Sequence, residues 1–146
     1  MITLGEVVEE NLKDCLKLDA GDGKKGFVAN SFAIAWLHRD SAKPLIIYNN
    51  GEPVGFVLII TSKDSDSACY ISRLMIDKDH QRKGYAKAAM KLILDCIRRN
   101  SACQAIRLSY SPENITAKAL YESLGFTANG EMRHGEIEMT LDLISS

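Results

Sequence analysis

Two periods of apolar residues run along this chain, and the predicted elements change where the period changes. Val8, Leu12, Cys15, Leu16 and Leu18 recur at helical spacing and predict a helix over 8–18 with one broad apolar face, following a short strand at 1–4. The glycines of Ala20-Gly21-Asp22-Gly23-Lys24-Lys25-Gly26 end that helix in a loop. A second short helix is predicted over 30–38, capped by Asn30 or Ser31, with Phe32, Ala35 and Trp36 on a common side. From Pro44 the pattern turns to β. Leu45–Tyr48, the hairpin turn Asn49-Asn50-Gly51, a strand at 53–61, a polar turn at 62–67 and a strand at 70–76 predict an antiparallel meander.

The second half alternates strand and helix. A charged stretch at 77–84 leads into a helix over 85–99, with Tyr85, Ala89, Leu92, Ile93 and Cys96 as its apolar stripe. Lys91–Asp95 and Asp95–Arg99 fall at i,i+4 on the wetter side. A strand at 105–109 follows, and strand–helix–strand order predicts a parallel crossover. After Pro112-Glu113-Asn114 a helix starts at Asn114 or Thr116. It carries Ala117, Leu120, Tyr121 and Leu124 on one side and stops at Gly125. Strands at 126–132 and 137–143, joined around His134-Gly135, complete the chain. The fold class is α/β with a mixed sheet. With no internal repeat or linker, the 146 residues are expected to be one domain, 1–146.

Composition narrows the function. Lys plus Arg number 18 against 19 Asp plus Glu, so the basic excess of a general nucleic-acid binder is missing and none is expected as a partner. The longest wholly apolar run, Phe56–Ile60, is far short of the roughly 20 residues that span a bilayer. Acidic Glu6, Glu9 and Glu10 close behind Met1 do not make a secretory leader. Cys15, Cys69, Cys96 and Cys103 include no CxxC pair and read as free thiols in a reducing cytoplasm. His38, His80 and His134 lie far apart, so no metal site is expected. A Walker loop, a dinucleotide fingerprint and a nucleophile elbow around Ser109 or Ser111 are all lacking.

The informative junction is Arg73-Leu74-Met75-Ile76 followed by Gln81-Arg82-Lys83-Gly84-Tyr85-Ala86. A strand feeds a polar turn and then a helix whose unpaired N–H groups carry the positive end of its dipole, a cradle for a diphosphate. A solvated charged turn would have the same composition. The spacing Gln81-x-x-Gly84-x-Ala86, and further on Asn114, Ala117, Leu120, Tyr121 and Leu124-Gly125-Phe126, resembles the GNAT superfamily of N-acetyltransferases over almost the whole chain. Ala86 stands where that motif more often has glycine.

The resemblance implies a three-layer α/β/α acyl-CoA N-acyltransferase fold with a mixed, splayed, predominantly antiparallel sheet, and acetyl-coenzyme A as cosubstrate. It places pantetheine in a cleft between the strands ending at Ile76 and Ser109. Leu74, Met75 and Ile76 would meet it through their main chain. The amides of Gln81, Arg82, Lys83, Gly84, Tyr85 and Ala86 would hold the pyrophosphate. Asn114 would contact pantetheine or hold the cleft, and Tyr121 would protonate the leaving thiolate. Homodimers are common among such proteins. The proton acceptor stays open: Tyr70-Ile71-Ser72-Arg73 offers no carboxylate, and Glu136, Glu138, Glu113 or a water relay are the alternatives.

Shorter stretches, among them Lys25-Gly26-Phe27-Val28-Ala29-Asn30 and Gly135-Glu136-Ile137, are similar to bacterial diamine or spermine/spermidine N-acetyltransferases. A small-molecule amine, with a polyamine foremost, is therefore the expected substrate. Glu9, Glu10, Phe27, Trp36 and Glu136 are its candidate contacts, since a chain of ammonium groups favours spaced carboxylates and apolar walls. Acids on the exposed side of a first helix would equally serve solubility. A cofactor-binding or protein-interacting relative with weak or lost activity, or an acetyltransferase for another amine, is the alternative.

Overall fold

Cross-strand hydrogen bonds join every strand among the described residues into one sheet, and that sheet determines where the helices dock. The computed structural model describes residues 1–21, 31–32, 35, 39–61, 67–100 and 103–143. In chain order the elements are β1 (Ile2–Glu6), α1 (Glu9–Leu16), β2 (Ala42–Asn49), β3 (Glu52–Thr61), β4 (Ala68–Ile76), a 3₁₀ turn (Lys78–His80), α2 (Tyr85–Asn100), β5 (Ala105–Tyr110), α3 (Ile115–Ser123), β6 (Thr127–Arg133) and β7 (Glu136–Asp142). Ser31, Phe32 and Ala35 are helical, and the rest of the helix expected over 30–38 lies outside the described residues. The sheet order is β1-β2-β3-β4-β5-β7-β6. The β4–β5 pair is parallel, as the crossover through α2 requires, and the other neighbours are antiparallel.

Alternation along the strands sends side chains to both faces, and each face is covered. Val57, Ile59, Ile71, Ile106 and Met139 meet Met90, Ile93 and Ile97 of α2, with Tyr121 of α3 packed at the margin. On the other face Ile46, Phe56, Leu58 and Met75 surround Cys15 of α1. Three layers result. Each fully buried Ile, Leu or Phe contributes about 1.5–3 kcal/mol relative to exposure. Both predicted hairpin turns form, with Asn50 and Gly51 at φ 51° and 85° and His134 and Gly135 at 50° and 81°. Consecutive positive φ values are those of the turn whose twist matches paired strands.

The structure departs from the sequence pattern at three places. In α1, Cys15 is fully buried, but Leu12 and Leu16 are 37% and 47% exposed. Asn11 causes the rotation. Its Oδ1 accepts from Val8 N at 2.8 Å, while its Nδ2 donates to the Glu6 carbonyl at 2.9 Å and to Tyr48 Oη at 3.1 Å. The Asn11–Cys15 row is thereby turned toward the sheet and the Val8–Leu12–Leu16 row away from it. In α2 the buried rows are Ala89–Ile93–Ile97 and Met90–Leu94, so Leu92 and Cys96 are only half-buried. There Arg99 Nε donates to the main-chain carbonyl of Asp95.

Cysteine pairing is the third departure. Cys69 and Cys103 form a disulfide, with Cα atoms 5.9 Å apart at a sequence separation of 34. The parallel register sets Cys69 opposite Ile106, so the chain entering β5 passes Cys103 close by it. Topology makes this pair, and the thiols no longer argue for a reducing compartment. Cys15 keeps its thiol, which burial pushes up to about 11. Among the described residues no helix is long and apolar enough to cross a membrane.

Candidate active site

The sheet splits where β4 and β5 part. They pair only over Ala68–Tyr70 with Ala105–Arg107, yet β3 follows β4 to Ile76 and β7 follows β5 to Tyr110. Beyond Tyr70 the inner edge of β4 has no strand beside it, and its main-chain groups face a strand-shaped slot. In the β3–β4 register Leu58 faces Arg73 and Ile59 faces Ile71, which leaves Ser72 as the extra residue of a bulge. That bulge interrupts the alternation of β4 and bends the strand away from β5. Met75 is buried on the α1 side, while Leu74 and Ile76 pack toward α2. A Cβ on Gly55 would lie 2.5 Å from the Met75 carbonyl oxygen, so β3 presses closely on this end of β4.

The turn after β4 is braced before it meets anything external. Asp77 Oδ1 accepts from Asp19 N at 2.9 Å and Oδ2 from Asp79 N at 3.2 Å, and the Lys78 amide donates to the Asp19 carbonyl. His80 Nε2 lies 2.6 Å from Glu52 and its Nδ1 3.2 Å from Asp77. The Glu52 hydrogen bond chiefly holds the imidazole above its usual range, with burial opposing and Asp77 assisting. The Gln81 side chain donates to the Ala20 and Ile76 carbonyls at 3.0 and 2.9 Å. It therefore ties the turn to the end of β4, and the groups left to face a ligand are main-chain amides. Arg82 and Gly84 adopt φ 66° and 81°. The first helical bond of α2 runs from Ala88 N to the Gly84 carbonyl, leaving the amides of Tyr85, Ala86 and Lys87 without intrahelical partners. Tyr85 Oη accepts from Asn49 Nδ2 at 3.0 Å, which anchors the helix start to the β2–β3 hairpin. Arg82 and Lys83 are exposed.

On the β5 side, Asn114 caps α3 by accepting from Ala117 N at 3.0 Å, so its Oδ1 is occupied by the helix it starts. Tyr121 packs against Phe126 with ring centroids 6.1 Å apart. Burial first, and the Glu136 carboxylate second, raise its phenol above the usual range, so the hydroxyl keeps its proton at neutral pH. Glu136 accepts from Ser109 Oγ at 2.8 Å. The contact depends on β5–β7 register, so no local motif in the sequence marks Ser109 for this role. Asp77 and Asn11 were likewise invisible as hubs.

Of the remaining expected residues, Glu9 and Glu10 are not gathered here. Glu9 and Glu10 are exposed in the first turn of α1, and no described contact joins them to Glu136. Phe27 and Trp36 lie outside the described residues. A separate apolar groove of about 590 Å³ runs along α1, lined by Leu12, Leu16, Phe32, Ala35, Ala42 and Pro44 with Arg39 as its charged member. None of its lining residues belongs to β4 or β5, so it is not the slot. Among the described residues no cluster of His, Cys, Asp and Glu is set to hold a metal ion.

Comparison with known proteins adds to this geometry. The model of the acetyltransferase (GNAT) family matches residues 10–126. A probable spermine N(1)-acetyltransferase of Bacillus subtilis subsp. natto (strain BEST195) is 34% identical over 107 residues, 69% of this chain and 70% of the relative. The spermine/spermidine N(1)-acetyltransferase of Bacillus subtilis (strain 168) is 33% identical over the same shares. The crystal structure of a Vibrio cholerae spermidine N-acetyltransferase, in complex with CoA and spermine, superposes with a TM-score of 0.75 at 18% identity. It covers 97% of this chain and 95% of its own. At that identity it speaks for the fold.

Proposed function

The chain belongs to the acetyltransferase (GNAT) family, and from that premise we propose that it moves an acetyl group from acetyl-coenzyme A to a primary amine of a polyamine such as spermidine or spermine. The observation that carries this is the parting of β4 from β5 after three paired residues on each strand. An extended amide-bearing arm such as pantetheine can satisfy the inner edge of β4 as a missing strand would. Leu74, Met75 and Ile76 supply that edge and the donor for the thioester carbonyl. The amides at the start of α2, with Arg82 and Lys83 beside them, suit the diphosphate.

In this reading the neutral amine attacks the thioester carbonyl carbon, the C–N bond forms and the C–S bond breaks. Tyr121 gives its proton to the departing sulfur and recovers one from the amide nitrogen. Asn114 holds α3, and with it Tyr121, against the cleft. Glu136 meets the ammonium of the acceptor. The two Bacillus relatives named for spermine support a polyamine over other amines. The test is coenzyme A release across an amine panel. Spermidine should exceed a length-matched monoamine in kcat/KM at low salt, and the ratio should shrink as salt screens the distal ammonium. Equal values for the two would reject the polyamine, and release with no amine at all would reject the transfer.

A further inference from the structure

The mechanism above leaves one proton without a destination: the acceptor reaches the site as an ammonium and must lose it before attack. From the geometry at the open end of the slot we infer that Glu136 takes up this proton and that Ser109 positions its carboxylate to do so. The inference rests on the proposed amine acetylation and names a residue for its first step.

Three observations converge. Ser109 lies beyond Arg107, the last β5 residue paired with β4, so it stands where the strands have separated. Its Oγ donates to Glu136 Oε1 at 2.8 Å, which fixes one carboxylate oxygen and leaves Oε2 for a second partner. Leu108 and Tyr110 are buried toward α2 and α3, so by alternation Ser109 points to the opposite face of the sheet. Tyr121 packs on the α3 face, and its phenol is raised first by burial and second by the Glu136 charge. A thioester in the slot therefore has a proton acceptor toward one face and a proton donor toward the other. The amine can enter from the Glu136 side while the sulfur is protonated from the Tyr121 side.

Two arginines on the neighbouring strands bond to other groups. Arg133, its register partner on β6, is bonded to the buried Glu138 and lies over the Tyr70 ring. Glu138 also accepts from Asn129 at 2.8 Å. Arg107, two residues before Ser109, donates to Tyr70 Oη at 3.2 Å. The ammonium gives one proton to Glu136, which returns it to solvent. The nitrogen's second proton replaces the one Tyr121 gives to sulfur.

The experiment follows kcat/KM for spermidine against pH in the wild type, Glu136→Gln, Glu136→Asp and Ser109→Ala, with acetyl-coenzyme A affinity by calorimetry as the check on folding. Glu136→Gln should lower kcat/KM at pH 7 by roughly 10²–10⁴-fold. It should also move the rising limb up toward the amine's own titration near ~10. Glu136→Asp should recover part of the rate and return the limb. Ser109→Ala should lower kcat several-fold with little change in KM. A Glu136→Gln profile that superimposes on wild type after scaling, or a rise in KM alone, overturns the inference and leaves amine acetylation standing. A wild type that acetylates no amine removes the proposed function and this inference together.

Discussion

Gly84 stands at φ 81°, and nothing lies within 4 Å of where its Cβ would be. Substitution there therefore probes backbone conformation without a steric collision. Placing Ala in the left-handed region costs roughly 1–2 kcal/mol, whereas Asn adopts it more readily. For a chain of this size each kcal/mol is about 2–4 °C, so Gly84→Ala should lower Tm by roughly 2–8 °C. Gly84→Asn should lower it less. If the turn relaxes to escape the strain, the amides of Tyr85, Ala86 and Lys87 lose their alignment, and a ligand must restore it on binding. The loss of acetyl-coenzyme A affinity is then bounded by the same free energy, roughly five- to thirtyfold. Calorimetric unfolding and titration of the two variants read both numbers. An Ala variant equal to wild type in both measurements, or an Asn variant worse than Ala, would refute the reasoning.

Tyr121→Phe keeps the ring against Phe126 and removes only the hydroxyl; the single-turnover transfer rate should fall roughly tenfold to several-hundredfold with acetyl-coenzyme A affinity unchanged, and an unaltered rate would exclude it as the acid. Because burial and then Glu136 raise the Tyr121 phenol, the alkaline limb of its donor role should lie above pH ~10, and Glu136→Gln should draw it back down. Cys15, raised from 9.0 to about 11, stabilises the fold fully below about pH 9 and loses that contribution as pH rises through about 11. Denaturant titrations should show roughly 2–3 kcal/mol lost across that window, absent in Cys15→Ala. Reducing Cys69–Cys103 opens a crosslink spanning 34 residues, a loss of roughly 3–4 kcal/mol, and unfolded, unreduced protein should alkylate at Cys15 and Cys96 alone.

What the sequence made legible was whatever local periodicity decides. The Asn49-Asn50-Gly51 hairpin, the parallel crossover and the Asn114 cap all follow from residues close in the chain, and all three form. Long-range polar contacts decided the rest. Asn11 rotates α1 through a bond to Tyr48 Oη, 37 residues away, and no apolar count over 8–18 contains that partner. Gln81 was visible as a motif residue, but its bonds to the Ala20 and Ile76 carbonyls, and so its bracing role, required the folded turn. The cysteines were misread for the same reason, since strand register and not spacing brings Cys69 to Cys103.

The order β5-β7-β6 shows how fold and site come from one pattern. The last strand in the chain inserts beside β5, and the strand before it is pushed to the edge. β7 alternates Ile137, Met139 and Leu141 with polar residues, so it can bury one face against the α2 layer while pairing on both sides. β6 cannot. All seven of its residues are exposed, and Asn129-Gly130-Glu131 bulges opposite Glu138, which suits an edge and discourages pairing with another chain. Seating β7 beside β5 gives its polar face, with Glu136 and Glu138, to the β5 side of the slot. Had β6 docked instead, Ser109 would have lost the hydrogen bond that fixes Glu136. The apolar alternation that secures the core therefore also sets the Ser109-bound carboxylate of Glu136 on the β5 side of the slot, where the proposed reaction needs a proton acceptor.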